Sequence, residues 1–108
     1  MNEINLAALT NDGQVRNLSG HDRGEDARQK FDLDVLDQQE GEIKVVVPED
    51  IYLLSPSFIQ GMFAKSIKSL GGRQQFLNHY EFVASTLVMK QIDNGITASL
   101  IDRGPLVN

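Results

Sequence analysis

Two periodicities organise this chain. Ile43-Lys44-Val45-Val46-Val47 is a β-branched run that reads as a strand at the centre of a sheet, buried on both sides. Further on, Phe58, Ile59, Met62, Phe63, Ile67 and Leu70 recur at helical spacing and give a helix over about 56–70 a wide apolar stripe. Between the two, Pro48-Glu49-Asp50 interrupts the chain and Ile51 to Leu54 runs on, extended, to a serine. On the N-terminal side, Ile4 to Leu9 alternates loosely and meets Asn11-Asp12-Gly13, a strong turn signal. Gln14 to Leu18 returns as a second strand, so an N-terminal hairpin is expected. After the Ser19-Gly20-His21 loop, Asp22 and Glu25 fit a capping box opening a helix through about Phe31. Leu33, Val35 and Leu36 tie a short helical or irregular segment to the core.

Beyond Leu70, Gly71-Gly72 supplies a left-handed helix stop. Arg73 to His79 reads as a short helical turn, and Tyr80 to Ala84 alternates as a strand. Ser85 caps a helix containing Leu87, Val88 and Ile92, which Asn94-Gly95 breaks before a final short helix over 96–101. Strands separated by helices require right-handed crossovers and a largely parallel centre. The expected fold is α/β: a small mixed four-stranded sheet, N-terminal hairpin plus parallel central strands, covered by helices as one domain over 1–108.

Composition narrows the function. The 108 residues hold no cysteine, which excludes disulfides and thiolate metal sites. No apolar run approaches the roughly 20 residues of a membrane span, and no signal-peptide pattern opens the chain. A cytoplasmic protein with no membrane partner is the simplest reading. Residues 1–50 carry 12 acids against 5 bases, and residues 51–108 carry 3 acids against 5 bases. The bases of the second half (Lys65, Lys68, Arg73, Lys90, Arg103) are too dispersed to neutralise a phosphate backbone, so no nucleic-acid partner is expected.

The chemistry concentrates at Leu54-Ser55-Pro56-Ser57-Phe58. Serine is a preferred helix cap, and proline at the next position gives up only an amide that had no partner. Such a helix start favours negative charge, phosphate included. Ser55 reads first as a cap, Ser57 as a hydroxyl beside the same amides, and Phe58 as core or, where exposed, a partner contact. Arg23 and Arg28 lie among acids on the first helix, where pairing along the helix is the default. Their sharper use is to grip an anion. His21 and His79 stand far apart in sequence without a carboxylate constellation, so no metal is expected. Neither a Gly-x-Ser-x-Gly elbow nor a phosphate-binding glycine loop occurs, and neither an enzyme nor a cofactor is expected.

These features resemble the second half of a STAS domain, and more closely the STAS-like family of small bacterial proteins (DUF4325). The resemblance rests on the strand Ile43 to Val47, the extended Ile51 to Leu54, the Ser55-Pro56-Ser57-Phe58 helix start, Gly71-Gly72, and the strand and helix over 82–101. Residues 19–28 add a glycine-bearing, basic helix entry. The resemblance implies a non-enzymatic regulatory module that docks a protein partner, an ATPase-type kinase or an anti-sigma-like regulator. In anti-sigma-factor antagonists the matching helix start reads Asp-Ser-Ser-Gly, and its first serine is phosphorylated. Here Ser55 takes the aspartate position, Pro56 the acceptor position, Ser57 the second serine and Phe58 the glycine. Proline accepts no phosphate, so the switch does not transfer position by position. Ser55 and Ser57 remain as candidate acceptors or contacts for a partner or anion. The alternative reading is a sensor of a small anion or nucleotide, with Arg23 and Arg28 supplying charge.

Overall fold

The computed structural model describes residues 2–101, so Arg103 lies outside it. The strands are β1 (Asn2–Asn5), β2 (Asn17–Leu18), β3 (Ile43–Val46), β4 (Leu53–Leu54) and β5 (Tyr80–Val83). The helices are α1 (His21–Lys30), α2 (Leu33–Leu36), α3 (Pro56–Leu70), α4 (Arg73–His79) and α5 (Thr86–Leu100), with a 3-10 turn over Leu6–Leu9. Every strand pair is parallel. β1-β3-β5 form one sheet and β2-β4 a separate pair.

Two expectations about the sheet are corrected. Among the described residues there is no single four-stranded sheet, and the N-terminal hairpin does not form. The turn itself is present: Asn11, Asp12 and Gly13 all have positive φ, and the Val15 N–H closes it onto Thr10 O at 2.8 Å. The strands it was expected to join go elsewhere. The Asn5 side chain accepts from the Ala7 N–H at 2.9 Å, ending β1 and opening the 3-10 turn that buries Leu6. β1 then pairs with β3, while β2 pairs with β4.

β3 takes the central place predicted for it, but only one of its faces is sealed. Ile43 and Val45 are fully buried; Lys44 and Val46 are half-covered. Ile4, Tyr80 and Phe82 share the sealed face across the register. On the other face the register aligns Glu3-Lys44-Glu81 and Asn5-Val46-Val83. Phe63 of α3 fills the space under the sheet, with its ring centroid 5.3–5.4 Å from Phe76, Tyr80 and Phe82 in edge-to-face contacts.

α3 lies between α1 and α5, and a glycine marks each crossing. A Cβ on Gly24 would sit 2.7 Å from Met62 N, and one on Gly61 would sit 2.9 Å from the His21 carbonyl carbon. Across the other crossing, Gly95 lies against the branched Ile59 side chain. This explains why Asn94-Gly95 does not break α5, contrary to expectation. The glycine is there for close packing, and the helix runs through it to Leu100.

α1 also departs from its expected start. Its N-cap is Gly20, at φ 98, with no side-chain cap; Asp22 lies inside the first turn, where its charge favours the dipole. α3 starts and stops as predicted. Ser55 caps it, Pro56 follows, and Gly71 at φ 102 closes it as the Gly71 and Gly72 amides bond to Ile67 O. Among the described residues no helix is long and apolar enough to cross a membrane.

Candidate functional site

The parallel β2-β4 register sets Leu18 beside Leu54, so the helices that follow, α1 and α3, start side by side. The Ser55 N–H donates to Leu18 O at 2.9 Å. The Ser55 hydroxyl accepts from the Phe58 N–H at 3.1 Å and from the Gly20 N–H at 3.4 Å. Ser57 Oγ lies 3.1 Å from Ser55 Oγ. Ile59 N–H is held by Ser55 O, and Pro56 has no N–H to offer. Among the described residues, the amide of Ser57 alone is left at the start of α3 without a bond to its own chain. The sequence predicts a helix start that favours negative charge; the structure satisfies most of its amides with the chain's own hydroxyl and carbonyls.

The other candidate residues separate. Phe58 is buried in the core, so its side chain offers no free surface. Arg23 is exposed on the rim of a groove of about 330 Å3 whose floor includes Leu9, Val15 and Leu18. Arg28 corrects the expectation most sharply: it neither stays on the helix surface nor waits for an anion. Its Nη1 donates to Met62 O at 2.9 Å and to Ser66 Oγ at 2.8 Å. Its Nη2 reaches Asp34 and Asp37, each at 2.7 Å, and its Nε reaches Asp34 at 3.2 Å. A guanidinium has five N–H groups, and this set occupies them.

Asp37 is the other half of this interior network. Beyond Arg28 it accepts from the Ser66 hydroxyl and the Tyr80 hydroxyl, each at 2.6 Å. No buried side-chain polar atom among the described residues lacks a partner. Burial opposes the Arg28 charge, but bonds to Asp37 and Asp34 outweigh it and hold the guanidinium above its ordinary range. Burial, then the bond to Asp37, pushes the Tyr80 hydroxyl far above the usual phenol range. The network ties α1, the end of α2, α3 and β5 together. Sequence reading passed over it, although one signal was legible: Ser66 interrupts the apolar stripe of α3 one turn after Met62.

The histidines do not meet. The His79 ring nitrogen bonds Leu36 O at 2.7 Å, and His79 lines a groove with Leu70, at the far end of α3 from Ser55. No Ser55-His79 catalytic pair is assembled. His21, Asp22 and Glu25 bring ligand-type atoms within 4.8 Å of one another on α1, with His21 Nδ1 3.6 Å from Glu25 Oε2. All three side chains are exposed, and helical spacing alone gathers them.

No protein-family model matches the chain, and no curated protein or solved structure matches it either.

Proposed function

We infer that this chain is a non-enzymatic regulatory module that docks a protein partner through the corner where α1 and α3 begin. One observation carries the reading: the chain caps its own helix start and still leaves two serine hydroxyls, 3.1 Å apart and only half-covered, at the surface. Exposed Pro56 and Ser19 flank them. A partner surface can address fixed hydroxyls and the Ser57 N–H by shape and hydrogen bonding. The resemblance to STAS-like proteins points the same way, since it implies docking through this helix start. An ATPase-type kinase or anti-sigma-like regulator is the class of partner the resemblance favours.

The anion-sensor alternative has less support. A free anion needs several unspent donors converging on it. Here one amide is free at the α3 start, and Arg28 is committed to two aspartates. Comparative capture from native-host cells tests the docking reading, with wild type and Ser57→Asp as baits. The reading predicts a protein recovered with wild type and depleted with the variant. No protein whose recovery depends on Ser57 would contradict it.

A further inference from the structure

The outer edge of β5 has the geometry of a self-pairing surface. The Val47 N–H donates to Val83 O at 2.8 Å, so Val83, and with it Glu81, turns its backbone groups toward the sheet. Alternation along a strand then turns Tyr80, Phe82 and Ala84 outward. Tyr80 N–H is already bonded to Phe76 O. What remains on the edge is Tyr80 C=O, both groups of Phe82, and the Ala84 N–H. Among the described residues β5 terminates its sheet, and no proline, lysine or bulge lies along it.

This set is its own complement under a two-fold axis. We propose that β5 pairs antiparallel with β5 of a second copy, centred on Phe82, joining two three-stranded sheets into one of six strands. Phe82 exchanges both backbone bonds with its counterpart, and each Tyr80 C=O receives an Ala84 N–H. The side chains agree with that register. Glu81 falls opposite Val83, which is 44% exposed, so neither glutamate faces its own copy.

The register sets the test. Val83→Glu puts a carboxylate against Glu81 of the other copy, twice across the axis, whereas Val83→Lys puts an ammonium there. Sedimentation across a concentration series should show a wild-type dimer, with the two variants differing in dimer Kd by about tenfold, glutamate the weaker. Amide exchange at Phe82 and Ala84 should slow as concentration rises. A chain that stays monomeric up to about 1 mM overturns the proposal. So does a dimer to which both variants are equally harmful, or one that leaves the Phe82 and Ala84 amides unprotected.

Discussion

Removing the Asp37 carboxylate would strand Arg28, Ser66 and Tyr80 at once, each in a buried position. Breaking a buried pair from one side costs about 3–5 kcal/mol, because the surviving charge loses its only buried counter-charge. Asp34 also holds Arg28, but its side chain is 80% exposed, and screened pairs of that kind contribute under about 1 kcal/mol. Urea denaturation of Asp37→Ala and Asp34→Ala should therefore separate the two carboxylates clearly. Tyr80 adds a pH signature. Its folded pKa lies above its unfolded value, so its contribution is complete below about pH 10 and declines as pH rises further. The loss should approach about 1.4 kcal/mol per pH unit, and Tyr80→Phe should remove that component. A pH profile of denaturation midpoints for the two proteins checks it. At this scale the caps were legible, because Ser55 and Ser85 act on amides three residues away. The Arg28-Asp37 pair was not, because it depends on where α2 ends against α3.

Glycine at the crossings of α3 is the clearest case of an element set by its neighbours. An exposed helical Gly→Ala change usually gains up to about 1 kcal/mol. At Gly61 and Gly24 the added methyl would enter the backbone of the facing helix, so the sign should reverse, with a loss of about 1–3 kcal/mol or more. Thermal unfolding of Gly61→Ala checks this; a stabilised variant would mean that α1 and α3 are further apart. The pattern of the chain predicts α3 from end to end because its cap, stripe and stop are all local. It does not predict the path of β1 and β2, since Asn11-Asp12-Gly13 specifies a turn but not which strands it will join. It misreads Gly95 for the same reason: a glycine inside a helix looks like a break until Ile59 is seen against it.

On the scale of the molecule, parallel pairing brings the starts of α1 and α3 to one corner, and the interior network locks those helices to β5. The corner is thus a rigid feature whose hydrogen bonds are mostly internal. That favours recognition by a shaped protein surface over capture of a small anion. The α/β class and its parallel centre follow from alternating strands and helices; the split into three and two strands depends on long-range pairing that no local pattern encodes. The most direct measurement is a calorimetric titration of the partner captured from the native host into wild type and Ser57→Asp. An aspartate in the first turn of α3 suits the helix dipole, so the fold should be kept and the melting temperature unchanged or slightly raised. Affinity weakened by tenfold or more, about 1.4 kcal/mol, is the predicted result. Equal affinity for the two proteins would contradict docking at this corner.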